Sequence, residues 1–279
     1  MMKKDDYDHA GISNLLATKW TGGRLQFYDA TDSTNLRARA EAESGAPHGT
    51  LVVADQQTAG RGRWGRSWES PAGANIYFTL VLRPDLAPDK ASMLTLTMAH
   101  SVSRAIARET GLDCKIKWPN DIVVNGKKVC GILTEMGFGK DGGYHVVVGV
   151  GINVRSQHFA PELADKATSL EEEAGSLEGE AGSETQISRS RLLAGIMSIF
   201  EEDYETLMVC QDLTGIWDSY NHMLINRNAK VRVLDPKGEY DAKARGITKT
   251  GELLVETADG TVVQVYAGEV SVRGIYGYV

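Results

Sequence analysis

Cysteine is scarce. The 279 residues contain three, Cys114, Cys130 and Cys210, with no close pair among them. That excludes a disulfide-built scaffold and a C-x-x-C redox or metal site, and it fits a reducing, cytoplasmic setting. Long apolar runs are also missing. Nothing approaches the ~18 residues that a membrane-crossing helix needs. The longest candidates, Ala74–Leu82 and Val146–Ile152, read as buried strands. Met1–Tyr7 is charged with no apolar stretch behind it, which argues against a secretory signal. A basic surplus is missing too: 30 Lys and Arg against 37 Asp and Glu give a formal net charge of -7. A dedicated nucleic-acid binder carries the opposite balance, so DNA binding is not expected. With 42% hydrophobic and 24% charged residues the composition is globular, which excludes disordered and fibrous classes. What is plentiful is glycine, 30 residues, many of them in short clusters beside strand-like segments.

The pattern along the chain divides it in three. Residues 1–23 form a sparse polar leader, too short for a helix-turn-helix. From Arg24 the text is dense. Strands are predicted at Arg24–Tyr28, Thr50–Ala54, Asn75–Leu82, Cys114–Trp118, Asp121–Val124, Val129–Glu135 and Tyr144–Val150. Asn125-Gly126 is a strong hairpin signal. Met93, Leu96, Ala99, Val102 and Ile106 repeat at helical spacing, and Gly111 is a natural stop. A second helical pattern runs from Ser188 to about Tyr220. Residues 168–188 hold six glutamates and no Lys or Arg, and read as a solvated loop or short helix. After Asn226 short β-rich runs alternate with turns, as in a small barrel. The fold class expected is therefore α+β: a catalytic domain over 24–225, with a mixed sheet and helices packed on one face, and a small C-terminal β-barrel over 226–279.

Four clusters carry the chemistry. Gly60-Arg61-Gly62-Arg63-Trp64-Gly65-Arg66 sets three arginines among three glycines, followed by Trp68. Glycine lets backbone N–H groups approach a ligand, and arginine offers a fork of donors to phosphate or carboxylate. No Gly-Lys-Ser/Thr follows, so it is not a Walker loop, and it lacks the Rossmann spacing. A flexible basic loop would read the same way. Lys117-Trp118-Pro119-Asn120-Asp121 ends a strand and presents polar groups at a turn, functional or not. Lys127-Lys128-Val129-Cys130-Gly131 opens a strand with two lysines, which solvated strand ends also do. Gly149-Val150-Gly151-Ile152-Asn153 places glycines inside a strand, the mark of a close approach or of a bulge.

In this order and spacing, together with Asp32-Ser33-Thr34-Asn35 and Gln57, the clusters resemble the signatures of the bacterial biotin–protein ligases over roughly residues 24–279. The resemblance implies condensation of biotin with ATP to biotinyl-5′-AMP and pyrophosphate. Transfer to one lysine of a biotin carboxyl carrier protein would follow. It implies a biotin pocket from Ser33, Thr34, Asn35, Gln57, Gly60, Arg61, Arg63, Lys128, Gly131, Gly149 and Gly151. ATP would be held by Arg61, Arg63, Arg66, Trp68, Lys117, Asn120 and Asn153, with Trp68 on the adenine. Lys128, Arg63 and Asp121 would be catalytic, Asp121 by orienting or deprotonating the acceptor lysine. Mg2+ would come with the nucleotide and not from a protein metal site. The resemblance also implies an SH3-like form for the barrel, with Glu269 and Arg273 near the nucleotide, and a monomer or a weak homodimer paired through an edge of the main sheet. With only about 23 residues before the core, the monofunctional type without an N-terminal DNA-binding domain is expected. A lipoate–protein ligase shares the catalytic fold but lacks the arginine–glycine loop and the Lys-Trp-Pro-Asn-Asp string. A regulator that binds biotinyl-AMP as a signal is a non-enzyme alternative.

Overall fold

The computed structural model describes residues 6–139, 143–155, 159–178, 186–235, 238–267 and 271–274. Its larger unit is built on a seven-stranded mixed sheet. The strands are β1 (Leu25–Tyr28), β2 (Leu51–Ala54), β3 (Ile76–Leu82), β4 (Lys115–Lys117), β5 (Asp121–Val124), β6 (Lys127–Phe138) and β7 (Tyr144–Ile152), in the spatial order β1-β2-β3-β7-β6-β5-β4. Only β1 and β2 run parallel; the other neighbours are antiparallel. The Asn125-Gly126 turn joins β5 to β6 with both residues at positive φ, 49° and 79°, the geometry a two-residue hairpin demands.

The long helices α3 (Ser92–Thr110) and α5 (Arg189–Cys210) lie together over one face, with the short α1 (His9–Leu15) against α5. Phe78, Leu80, Leu82, Val146 and Val148 turn that way and join the main core with Leu96, Val102, Leu193 and Phe200. Gly111, at φ 73°, ends α3 as its left-handed cap. His100 on α3 ties this layer together. Its Nδ1 lies 2.8 Å from Asp203 of α5, and its Nε2 lies 2.7 Å from Ser219 on α6 (Trp217–Met223). The short helix α2 (Thr34–Glu43) packs on the opposite face, where Ala38 and Ala42 meet Val52, Val81 and Val147. The main helical layer is thus on one face as expected, and α2 is an addition to it. Alternation along each strand makes both layers possible, since residues i and i+1 point to opposite faces.

The acidic stretch is less solvated than its composition suggests. Helix α4 (Leu170–Glu178) buries Leu170 and Glu173. Glu173 accepts a hydrogen bond from the Asn125 amide at 2.6 Å, and Glu171 pairs with Arg155 at 2.6 Å. Three glutamates in the first turn also suit the positive end of the helix.

The second sheet is antiparallel and five-stranded: β8 (Lys230–Leu234), β9 (Tyr240–Ile247), β10 (Leu253–Glu256), β11 (Val262–Val265) and β12 (Ser271–Gly274), ordered β11-β10-β9-β8-β12. Three long side chains of the larger unit fasten it by its backbone carbonyls. Trp118 donates to Gly251, Trp217 to Ile247 and Arg63 to Ala267, at 3.0, 2.7 and 2.6 Å.

Candidate active site

On the α2 face, the central strands lay out two adjacent rows. Thr79, Gly149 and Leu133 stand side by side in register, and so do Tyr77, Gly151, Gly131 and Asp121. Three of these seven positions are glycine, so the sheet surface sinks into a trough between bulkier neighbours. A small cavity opens there. The chain's own groups already fill part of it. A Cβ on Gly149 would lie 1.7 Å from Oδ1 of Asn35. On Gly151 and Gly131 a Cβ would lie 2.5 and 2.8 Å from the Trp68 indole. Among the described residues, the indole N–H of Trp68 finds no acceptor.

One end of the trough is polar and uncharged. The residue before α2, Ser33, is extended, and its hydroxyl makes no capping bond. Asp32 organises the turn instead, accepting the Ser33 N–H at 2.7 Å. Burial works to raise the Asp32 pKa. That N–H, the Thr31 hydroxyl and Arg37 outweigh it and hold the carboxyl below its ordinary value. Gln57 faces the start of the helix. Its Oε1 accepts the Thr34 N–H at 2.9 Å, and its Nε2 donates to Ser70 at 3.0 Å. Gly60 belongs to this frame, since a Cβ there would lie 2.3 Å from the Trp68 carbonyl oxygen.

The other end is charged. Lys128 Nζ sits 2.6 Å from Asp121 and 5.2 Å from the centre of the Trp68 ring. Arg63 donates to Asn120 Oδ1 at 2.8 Å as well as to Ala267. Its burial pulls its pKa down; Asp121 opposes this and Arg66 adds to it. Arg61 reaches the other way, pairing at 3.1 Å with Glu135 on β6, the carboxylate that also accepts from Asn35. The loop that carries these arginines folds as a tight turn, with Gly62 donating to the Arg66 carbonyl at 2.7 Å. At its tip Trp64 is exposed and held at φ 60°, a conformation rare for a bulky side chain.

Most residues singled out from the sequence meet at this cavity. Ser33, Thr34, Asn35 and Gln57 line it from one side, Arg61, Arg63, Trp68, Asn120 and Lys128 from the other, and Gly131, Gly149 and Gly151 form the floor. Asp121 touches it through Lys128. Four others stand off the lining. Gly60 lies behind it, against the Trp68 carbonyl and Ser70. Arg66 is exposed on the loop, and Lys117 is buried on β4 in register with Asp121. Asn153 is buried and donates to the Thr168 carbonyl at 3.1 Å. Glu269 lies outside the described residues, and of Arg273 only its place on β12 is described. Sequence reasoning missed Thr79, Glu135 and Ser70. Thr79 had a signal: it is the one aliphatic hydroxyl in the otherwise apolar and aromatic β3.

Comparison with known proteins follows the same geometry. The profile of the Biotin/lipoate A/B protein ligase family matches residues 27–153. That of the Biotin protein ligase C terminal domain matches 228–273. The bifunctional ligase/repressor BirA of Bacillus spizizenii is 40% identical over 259 residues, which is 91% of this chain and 76% of that protein. The biotin–[acetyl-CoA-carboxylase] ligase of Mycobacterium tuberculosis is 38% identical over 174 residues, 58% of this chain and 61% of that one. Among solved structures, the biotin protein ligase from Aquifex aeolicus in complex with biotin and ATP superposes with a TM-score of 0.74 at 29% identity, covering 90% of this chain and 99% of that one.

Proposed function

The chain belongs to the biotin protein ligase family, and on that premise we propose how its cavity divides the work. The reaction has two halves. The biotin carboxylate attacks the α-phosphorus of ATP, the bond to pyrophosphate breaks, and biotinyl-5′-AMP forms. A lysine amine then attacks the acyl carbon and AMP leaves.

In this reading the uncharged end takes the ureido ring. Ser33, Thr34 and Gln57 supply donors and acceptors in a fixed array. The charged end takes the carboxylate and the phosphates. Two anions must meet there, and Lys128, Arg61 and Arg63 lower their repulsion while Lys128 stabilises charge growing on the phosphoryl oxygens. Asp121 holds the Lys128 ammonium in place and orients the acceptor lysine. The observation that carries the assignment is the Lys128–Asp121 pair standing at one end of a single trough whose other end presents the uncharged, hydrogen-bonding side chains of Ser33, Thr34 and Gln57. Mg2+ travels with the nucleotide; the Asn120 amide oxygen and the Asp121 carboxylate are hard oxygen donors of the kind it accepts beside phosphate.

The macromolecular partner is a biotin carboxyl carrier protein. A net charge of -7 works against a DNA partner. A weak homodimer would use the free side of β6 beyond Gly131, where Met136 and Phe138 are exposed, and sedimentation at rising concentration tests it. The compartment is the cytoplasm, which suits thiols kept free, two of them buried. The test of function is direct. Purified protein is incubated with labelled biotin and a carrier domain, with and without ATP, and with lipoate as competitor. ATP-dependent labelling that lipoate leaves untouched is expected; labelling by lipoate in place of biotin would overturn the assignment.

A further inference from the structure

A chain of side chains runs from β6 to the uncharged end of the trough, and its proton order is fixed by chemistry. It begins at Asn35. The Asn35 Nδ2 group lies 2.9 Å from the Glu135 carboxylate and 3.2 Å from the Leu133 carbonyl. Both are acceptors, so the amide cannot be turned round, and Asn35 must present Oδ1 to the other side. There Oδ1 meets the Thr79 hydroxyl at 2.8 Å. An amide oxygen has no proton to give, so Thr79 donates. The hydroxyl has a single proton and has now used it. Its second neighbour, the Thr34 hydroxyl oxygen at 2.9 Å, must therefore donate to Thr79 if the two oxygens are not to face one another with lone pairs only. The other candidate for the Thr34 proton, Gln57 Oε1 at 3.1 Å, is the longer contact, and a proton sent to its second lone pair would likewise leave Thr34 an acceptor toward the cavity.

We infer that Thr79 is a positioning residue which, through Asn35 and Glu135, leaves the Thr34 hydroxyl facing the cavity as an acceptor only, so that this end of the site selects a ligand N–H. The inference rests on the proposed function and deepens it, because the ureido ring of biotin carries such N–H groups and the dithiolane ring of lipoate carries none. Thr79 itself is fully buried and does not line the cavity, so it acts through Thr34. Gly149 is part of the device. It stands opposite Thr79 in the sheet, and its missing side chain is the space that Asn35 fills. A site whose buried polar groups are arranged for one partner rejects an analogue that leaves them unpaired.

The test is a series at position 79 in the full-length protein, read by initial rates of biotinyl-AMP formation. Thr79→Ser keeps the hydroxyl, Thr79→Cys weakens it as donor and acceptor, and Thr79→Val removes it at nearly constant shape. The KM for biotin should rise in the order Thr, Ser, Cys, Val, with roughly a tenfold increase for Val, the loss of one hydrogen bond of about 1.4 kcal/mol. The Ser variant should stay within about twofold of the parent, and kcat and the KM for ATP should move less than about twofold throughout. Inhibition by lipoate should strengthen relative to biotin in the same order. A flat series, or one in which kcat and the KM for ATP shift together with that for biotin, overturns the inference, and the ranking can be read even if one variant fails to fold. A parent that forms no biotinyl-AMP would instead refute the functional assignment itself.

Discussion

Replacing Lys128 tests whether the charged end of the trough does chemistry or only holds substrate. The ammonium lies 2.6 Å from Asp121, with the two side chains 23% and 16% exposed, so it works in a partly dehydrated setting. Two full charges 4 Å apart attract by about 4 kcal/mol at an effective dielectric of about 20. The phosphoryl oxygens gain only part of a charge as pyrophosphate leaves, so Lys128→Ala should cost ~2–4 kcal/mol in the transition state, the range seen for single preorganised donors. That is roughly 30- to 1,000-fold in rate. Single-turnover formation of biotinyl-AMP, with biotin and ATP saturating, isolates this step from product release. The rate constant should fall by that factor while both KM values change far less. Lys127→Ala, one residue along β6 and outside the cavity lining, should stay within about twofold of the parent. Equal losses from the two variants would mean a diffuse basic patch and refute the reasoning. So would a Lys128 variant whose KM values rise with kcat intact.

Other perturbations address the rest of the site and the fold. Gly149→Ala places a methyl 1.7 Å from Asn35 Oδ1, so calorimetry should show a loss of roughly 1–3 kcal/mol from overpacking. Arg63→Gly releases both Asn120 and the Ala267 carbonyl, so biotinyl-AMP should escape and label bystander lysines; retention equal to the parent would show that the loop does not seal the site. Truncation at residue 225 removes the Ala267 tie and the second sheet, and should abolish adenylation even where circular dichroism reports a folded remainder. Burial works to raise the Glu201 pKa, but N–H bonds from Lys19, Thr21 and Trp20 prevail and lower it. The stability it contributes is present above the ordinary glutamate range and is lost as pH falls through its lowered native value. Proteolysis of the segment before β1 should rise over that acid window in the parent and be independent of pH there in Glu201→Gln.

The strands and long helices were legible because their patterns are strong: β3 and β7 are predominantly apolar runs, and α3 carries a clean helical stripe ending at Gly111. The glycines at 131, 149 and 151 could be recognised as sites of close approach, but not what approaches. In the structure Asn35 and Trp68 do so, and neither lies near these glycines in sequence. Thr79 and Glu135 escaped notice for the same reason. Their role depends on a register across three strands, which places residues 79, 149 and 133 in one row although they are far apart in the chain. The acidic stretch reads as a solvated loop or short helix, and α4 is that helix, but composition cannot show that Asn125 and Arg155 tie down two of its glutamates.

Trp68 gives the cavity a resident rival to its ligand. The indole rests on Gly131 and Gly151, on the floor between the end proposed for the ureido ring and the end proposed for the phosphates, and a ligand spanning the two must displace it. Association then depends on how often the ring swings clear, so the apparent affinity equals the intrinsic one scaled by that open fraction. The observed rate of binding should approach a ceiling as biotin concentration rises, set by the side chain and not by diffusion. The ring also reports on its own departure: its fluorescence should change with the same time constant as capture. A smaller residue at 68 would lift the ceiling and hasten escape alike, trading residence time for speed.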